Sequence, residues 1–162
     1  MAAEINARVE ISPELQHLID QNEDIAPKAI KEGMKRITRT APKQVRKKIR
    51  SLGLIKKGNL VKTIRGKTNK DKSIIGSQYF VGHILEGGAK SHIIKPRKSR
   101  RGGSYLRIPI GGRSLFVKQV RHPGVKAYKF LEGTIHDMES SGEISSLFAQ
   151  GVQQAIEEIQ NG

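Results

Sequence analysis

Histidines and carboxylates are the side chains through which this sequence could bind a metal ion or catalyse a reaction. The chain has no cysteine, and its histidines lack the HxxxH-type spacing that holds zinc. Metal-dependent cleavage of phosphodiesters normally needs clustered carboxylates, yet residues 43–130 contain only Asp71 and Glu86. We therefore expect no metal and no cofactor. The histidines are His17, His83, His92, His122 and His136.

Other enzyme motifs are missing as well. The sequence has no G-x-x-x-x-G-K-[ST] phosphate loop, no G-x-G-x-x-G after a predicted strand and no G-x-S-x-G nucleophile turn. Aromatic residues are few, and at least Phe116 and Phe148 are expected in the core, so base stacking on single strands is poorly supported. The sequence predicts a protein that is not an enzyme. A nuclease that uses Asp71 and Glu86 is the enzymatic alternative.

Positive charge is concentrated in the middle of the chain, which has 162 residues and a net charge of +15. Residues 43–130 have 24 basic side chains against two acidic ones, whereas residues 131–162 have six acidic side chains and no basic one. This asymmetry favours contact with a polyanion, either nucleic acid or an acidic protein surface. The alternative is a solvated surface whose charge neighbouring subunits balance in an assembly.

Two long amphipathic helices are expected to position these charges. One starts at Ala26-Pro27 and places apolar residues from Ile30 to Leu52 on one stripe. Pro42 lies inside this helix and predicts a kink or a break near Thr40. The second is C-terminal, with an apolar stripe over 144–159. A brief further helix is predicted from Ser12-Pro13-Glu14, and residues 1–11 form a possible N-terminal arm.

Short β-rich runs punctuated by glycine occupy the chain between the two long helices. Gly111-Gly112-Arg113-Ser114 predicts a hairpin turn, and Pro109 suggests an edge strand. The fold class is therefore α+β, a small antiparallel β-sheet flanked by a long N-terminal-half helix and a C-terminal amphipathic helix, with residues 1–162 in a single domain. The predicted strands are 60–64, 73–75, 105–110 and 115–120.

Two basic segments are candidates for contact with DNA or a protein partner. The first is a flexible basic loop over 95–103, which contains no apolar residue and five cations. The second is the cationic face of the first long helix. Contacts of this kind are made to phosphates, so they are non-specific and sensitive to salt. The candidate residues are Arg97, Lys98, Arg100 and Arg101 in the loop, and Lys43, Arg46, Lys47 and Arg50 on the helix.

Several local sequences occur in an order that resembles a known family. They are Ala41-Pro42, Gly58-Asn59-Leu60-Val61-Lys62-Thr63-Ile64, Tyr79-Phe80-Val81 with Leu85-Glu86-Gly87-Gly88, His92-Ile93-Ile94-Lys95-Pro96, His122-Pro123-Gly124-Val125-Lys126-Ala127 and Tyr128-Lys129-Phe130-Leu131. The pattern is similar to that of the small minor-tail, or tail-completion, proteins at the neck of long-tailed bacteriophages. It spans roughly residues 26–160, and its most specific part is HPGVKA…FL after HIIKP.

The motif residues are expected to have structural roles. The turn at His122-Pro123-Gly124 should be rigid and aim Phe130-Leu131 into the core. Glu86 is expected to pair with an arginine, within its own subunit or across a subunit boundary. Two departures from the family pattern occur: Lys43–Lys57 lengthens a usually short link with a very basic turn or helix end, and Gly87-Gly88 replaces Gly-Thr. The motif residues are Glu86, His92, Pro96, His122, Pro123, Gly124, Phe130 and Leu131.

The resemblance implies a structural virion protein that assembles as a homo-oligomeric ring, a hexamer, at the head–tail junction. Its partners would be the neighbouring connector and tail proteins and, without sequence specificity, the genomic DNA in the channel. The acidic C-terminal helix offers the opposite charge for head-to-tail packing of subunits. The protein would reside in the virion, and in the host cytoplasm during assembly, without contacting a membrane. The alternative is a non-specific nucleic-acid-binding factor that acts through its basic surface.

Overall fold

The first long helix runs without interruption from Ala26 to Ser51 in the computed structural model. The structure describes residues 26–55, 58–69, 72–97 and 105–161, together with Pro13 and His17, which are helical. The possible arm over 1–11 and the rest of the helix predicted at Ser12 lie outside these residues.

The helices are α1 (Ala26–Ser51), α2 (Asn59–Thr63), α3 (Phe80–Gly87), α4 (Phe130–Ser140) and α5 (Glu143–Gln160). The strands are β1 (Ile64–Asn69), β2 (Lys72–Ser77), β3 (His92–Ile94), β4 (Leu106–Ile110), β5 (Arg113–Val117) and β6 (Val120–His122).

The strands pair as three antiparallel two-stranded ladders, β1–β2, β3–β6 and β4–β5. The predicted α+β class is confirmed, with the long helix α1 in the N-terminal half and the amphipathic helix α5 at the C-terminal end. The predicted hairpin turn is also confirmed. Ile110 pairs with Arg113 across Gly111 and Gly112, both of which have positive φ.

The larger apolar cluster lies between α1, α4 and α5. Gly33 of α1 and Gly151 of α5 are both buried where these two helices cross. Phe148 is buried at the same crossing, as expected. The absence of side chains on the two glycines lets the helix backbones approach closely, so that the apolar stripes predicted from the sequence face each other. The buried members are Ala29, Ile37, Ala41, Ile135, Met138, Ile144, Phe148, Val152, Ala155 and Ile156.

A second apolar cluster joins the C-terminal half of α1 to the start of α4. Phe130 and Leu131 are both buried in it, which confirms that the segment following the HPG turn enters the core. Leu52, the last residue of the predicted apolar stripe, lies beyond α1 and is exposed. The buried members are Val45, Ile49, Leu60, Ile64, Phe130 and Leu131.

The β1–β2 ribbon lies across α1 with one face inward. Thr68 and Thr38 share a hydrogen bond of 2.8 Å between their hydroxyl oxygens, and the Ser73 hydroxyl donates to the Met34 carbonyl oxygen at 3.1 Å. Because side chains alternate along a strand, the neighbours of these inward residues point to solvent. The outer face of the ribbon therefore has Arg65, Lys67, Asn69 and Lys72 beside the exposed Ile74.

The predicted break at Pro42 does not occur. Pro42 is buried inside a continuous helix, although it has no N–H to bond the Thr38 carbonyl oxygen. Gly66 of β1 packs directly against that carbonyl, since a Cβ built on Gly66 would collide with it. The ribbon thus covers the carbonyl oxygen that Pro42 leaves without a helical N–H donor.

The strand predicted over 60–64 is wrong for its first four residues, which belong to helix α2. Leu60 is buried in the second cluster, and the Thr63 hydroxyl donates to the carbonyl oxygens of Asn59 and Leu60. The guanidinium of Arg46 donates to the Val61 and Ile64 carbonyl oxygens at the helix end. These tertiary contacts override the β propensity of the segment.

The strand predicted over 115–120 divides into two. β5 ends at Val117 and β6 begins at Val120, because the first pairs with β4 and the second with β3. Phe116, expected in the core, is 61% exposed on β5. The predictions at 73–75 and 105–110 correspond to β2 and β4.

Candidate nucleic-acid interface

Glu86 caps the N-terminus of α4 with its side-chain carboxylate. The Leu131 N–H donates to its Oε2 at 2.9 Å, and the Glu132 N–H donates to its Oε1 at 2.8 Å. Both amides lie in the first turn of α4, where backbone N–H groups lack partners within the helix. The carboxylate satisfies these donors and places negative charge at the positive end of the helix dipole. The pair expected between Glu86 and an arginine of its own subunit does not occur within the described residues, and a pair across a subunit boundary stays a prediction.

The chain that leads into α4 is held against the end of α3. The Tyr128 N–H donates to the Leu85 carbonyl oxygen at 2.8 Å, and the Lys129 N–H donates to the Glu86 carbonyl oxygen at 3.3 Å. Glu86 therefore contacts the start of α4 through both its backbone and its side chain. This arrangement fixes where Phe130 enters the core.

His92 and His122 stack on each other in the β3–β6 ladder. They are register partners, and their ring centroids lie 5.1 Å apart with an angle of 23° between the planes. The Gly124 N–H donates to His122 Nδ1 at 3.1 Å, and His92 Nδ1 lies 3.0 Å from the Lys90 carbonyl oxygen. These contacts orient both rings, so they act here as structural groups.

The HPG turn is closed against the segment after α3. Gly124 has φ 96°, and a Cβ at this position would collide with the Ala89 carbonyl oxygen. Ala89 and Val125 exchange two backbone hydrogen bonds of 2.8 Å. A side chain at Gly124 would break this bridge. Pro123 is exposed within the turn, and Pro96 is half-buried after β3.

These contacts join the motif residues into one unit, which we call the motif cluster: Glu86, His92, His122, Gly124, Phe130 and Leu131. The turn and the histidine stack connect β3 to β6, and Glu86 connects α3 to α4. Chain segments that are distant in sequence are thereby fixed relative to each other. The motif cluster thereby fixes β3, whose C-terminal end leads into the basic loop that begins at Lys95.

A set of exposed cations lies on α1 and β1. On α1, residues spaced three and four apart share one stripe, and on β1 alternate residues share the outer face. The ribbon packs on α1 beside this stripe, since Thr38 contacts Thr68 and Arg46 contacts Ile64, while Arg65 and Lys67 lie on the face of β1 that is turned away from α1. We call this set the α1–β1 basic surface: Arg39, Lys43, Lys47, Arg50, Arg65 and Lys67, all of them exposed.

No member of the α1–β1 basic surface forms an ion pair within the part of the chain that the structure describes. The ion pairs found there are Lys35–Glu32, Lys48–Asp137 and Lys129–Glu132. Like charges set this close repel one another, and their field attracts a polyanion. The surface therefore suits a ligand of closely spaced negative charges, such as a nucleic-acid backbone.

Arg46 differs from the other three predicted helix residues. It is half-buried, and its guanidinium donates to the Ile64 carbonyl oxygen at 2.6 Å and to the Val61 carbonyl oxygen at 3.3 Å. It joins α1 to the end of α2 and so has a structural role. Lys43, Lys47 and Arg50 are exposed. The basic extension predicted over 43–57 forms the last turns of α1 as far as Ser51.

Of the four candidates in the basic loop, Arg97 is described and exposed. The other three, Lys98, Arg100 and Arg101, lie outside the described residues. Sequence reasoning missed Arg65 and Lys67. Alternation of inward and outward residues from Ile64 to Asn69 was the signal that could have revealed them.

No group of three or more histidine, aspartate or glutamate side chains in the described ranges could hold a metal ion. A shallow groove of about 340 Å³ lies between α1 and the α4–α5 turn, and the Lys48–Asp137 ion pair of 3.2 Å lines it. Within those same ranges, no helix combines the length and the apolar character needed to cross a membrane. No protein-family model, curated protein or solved structure matches the chain.

Proposed function

We propose that this chain is a structural subunit of the head–tail junction of a long-tailed bacteriophage, a neck or tail-completion protein. Identical subunits form a ring, a hexamer, that joins the connector to the tail and borders the channel for the genome. The chain acts in the virion after assembly in the host cytoplasm. Its partners are copies of itself, the neighbouring connector and tail proteins, and the genomic DNA.

The observation that carries this proposal is the motif cluster. The segments that resemble the phage family are far apart in the chain, yet several of their residues contact one another. Glu86 bonds the backbone at Leu131, and His92 stacks on His122. A chance match of short sequences gives no reason for such contacts. These contacts are expected if the chain shares the fold of the family and these residues connect its elements.

The α1–β1 basic surface supports the DNA-bordering part of the proposal. Lysine and arginine contacts to phosphates carry no sequence information, so they suit DNA that must slide through a channel. If all six cations contact phosphates, the logarithm of the binding constant should fall with the logarithm of salt concentration with a slope of roughly −5. Binding should be the same for unrelated duplex sequences.

The proposal is tested by counting the chain in purified phage particles and by deleting its gene. We expect a fixed, small copy number per particle. We also expect the deletion to yield heads and tails that do not join, or heads that lose their DNA. An Arg65→Ala/Lys67→Ala variant, with its ribbon fold retained, should be incorporated but should retain DNA poorly. Absence of the chain from particles, or full infectivity without it, would refute the proposal.

A second candidate function is a free-standing, non-specific nucleic-acid-binding factor. The α1–β1 basic surface favours it, because that surface needs no second subunit to attract a polyanion. The two functions differ in where the chain is found. A binding factor would fractionate with host ribosomes or nucleoid, whereas a neck subunit would be absent there and stoichiometric in particles.

A further inference from the structure

The β4–β5 hairpin has one apolar face. The register places Leu106 opposite Val117, and Ile108 opposite Leu115, on the same side of the ladder. Ile110 and Arg113 complete this side at the tip of the hairpin. The apolar side chains thus form a continuous strip that ends in a cation. We call this strip, with Arg113, the hairpin face.

The hairpin face is uncovered toward its tip. Leu106 and Val117 are half-buried, whereas Leu115 is 50% exposed and Ile110 is 57% exposed. Neither strand packs extensively on any other helix or strand of the described structure. A two-stranded hairpin is marginally stable in water by itself and normally gains stability when an apolar face is covered. An exposed apolar strip rimmed by polar groups is typical of a protein interaction site.

The charges around the hairpin face are all positive. Arg113 is exposed at its tip, Lys118 and Arg121 are exposed in the chain that follows β5, and the sequence has no acidic residue between Glu86 and Glu132. Arg107 lies on the opposite face of the hairpin, where its Nε donates to the Ser114 hydroxyl. This excludes a basic partner and favours an acidic one, because like charges across an interface oppose binding. The occupant must combine acidic side chains with apolar surface.

The C-terminal end of α5 has this combination. Glu157 and Glu158 are exposed beside the half-buried Ile159. Their carboxylates accept hydrogen bonds of 3.0 Å from Gln153 and Gln154 on the same helix, and neither forms an ion pair with a described cation. These two glutamates remain available to cations of another molecule.

We infer that the hairpin face of one subunit docks on the C-terminal end of α5 of a second copy of this chain. The contact is heterologous, since two different surfaces meet, and such contacts generate rings when the rotation closes. The inference deepens the proposed function, on which it rests for the ring, by naming the surfaces through which subunits join. The α1–β1 basic surface takes no part in this contact.

Charge reversal tests the inference in the full-length chain. We expect the wild-type mass, measured by sedimentation at about 0.1 M salt, to rise with concentration. Arg113→Glu/Lys118→Glu and Glu157→Lys/Glu158→Lys should each weaken self-association about tenfold or more. All four substitutions combined should restore it, because the charges are again complementary. Lys43→Glu/Lys47→Glu changes net charge as much as the hairpin variant and should leave the mass unchanged.

A matched pair of apolar substitutions tests the strip itself. Leu115→Asn should weaken self-association, whereas Ile74→Asn should not, although Leu115 and Ile74 are similarly exposed at 50% and 49%. Circular dichroism verifies that each variant is folded. If the fourfold variant self-associates again, the hairpin is folded, because a misfolded hairpin could not regain the contact.

Two outcomes overturn the inference, and both differ from failure of the proposed function. A wild-type chain that stays monomeric over the whole concentration series has no such interface. An oligomer whose mass is insensitive to both reversals is held together elsewhere. Incorporation into particles and salt-sensitive DNA binding are measured separately from self-association. If both are observed but the reversals have no effect, the chain is a neck protein whose subunits join through another surface.

Discussion

Gly33 of α1 and Gly151 of α5 face each other where these two helices cross. A Cβ built on Gly151 would lie 2.6 Å from the Gly33 Cα and 2.8 Å from the Glu32 carbonyl oxygen. A Cβ on Gly33 would lie 2.7 Å from Cδ2 of Phe148. Because the neighbours of Gly151 are backbone atoms, they cannot turn away as a flexible side chain could. The two helix backbones are therefore in direct contact at this crossing.

Gly151→Ala should destabilise the fold by about 2–3 kcal/mol, since the added methyl group must push α1 and α5 apart. The measurement is the free energy of unfolding in urea. Gly133→Ala is the matched control, because Gly133 lies in helix α4 with no atom within 4 Å of the added Cβ. The control should be about 0.5–1 kcal/mol more stable than the wild type, as alanine favours a helix. Equal stability of the two variants would contradict the close crossing.

Glu86→Ala should cost about 2–4 kcal/mol of unfolding free energy, because it leaves two amide N–H groups at the start of α4 without acceptors. Glu86→Gln should cost less, since it keeps one acceptor oxygen but loses the charge that favours a helix N-terminus. Glu132→Gln is the control, as its exposed ion pair with Lys129 contributes about 0.5 kcal/mol or less. If Glu86→Ala is as mild as the control, the carboxylate is not the cap of α4.

Periodicity was enough to predict the two long helices of this fold, whereas α3 and α4 were not predicted and most of α2 was predicted as a strand. The apolar stripes of α1 and α5, the start at Ala26 and the burial of Phe130 all follow from residue types and spacing that act locally. Leu60–Thr63 is helical because Arg46 and the second apolar cluster contact it. Both contacts come from residues elsewhere in the chain, so the sequence of the segment alone does not predict them.

The candidate site was less predictable because its contacts cross long stretches of sequence. The partners of the Glu86 carboxylate lie 45 and 46 residues away, and they are backbone amides that every residue except proline has. Phe116 was expected in the core, but it is exposed. Alternation predicts that a strand has two faces, but it does not predict which of them the rest of the protein covers. Arg65 and Lys67 were missed because the predicted strand ended at Ile64, where the observed strand begins.

Gly124→Ala should destabilise the β3–β6 ladder and lower the unfolding free energy by about 2 kcal/mol or more, because the residue must adopt a positive φ and its methyl group collides with the Ala89 carbonyl. Amide hydrogen exchange should be faster at Val125 and at the strand residues next to the stacked histidines. Gly76→Ala, with no atom within 4 Å of its Cβ, should change neither measurement appreciably. Unchanged exchange in Gly124→Ala would show that the HPG turn does not fix this ladder.

Arg46 and Lys47 are neighbours on α1, yet we expect Arg46→Ala to change stability and Lys47→Ala to change DNA binding. Arg46→Ala should lower the unfolding free energy by about 1–2 kcal/mol, since it removes two hydrogen bonds to carbonyl oxygens at the end of α2. Lys47→Ala should leave stability within about 0.5 kcal/mol, because Lys47 is exposed. On short duplex DNA, Lys47→Ala should reduce the slope of log affinity against log salt by about one, the contribution of one phosphate contact. Arg46→Ala should leave this slope unchanged, provided that titrations are made where it is fully folded. If Arg46→Ala alone reduces the slope, Arg46 and not Lys47 contacts the phosphates.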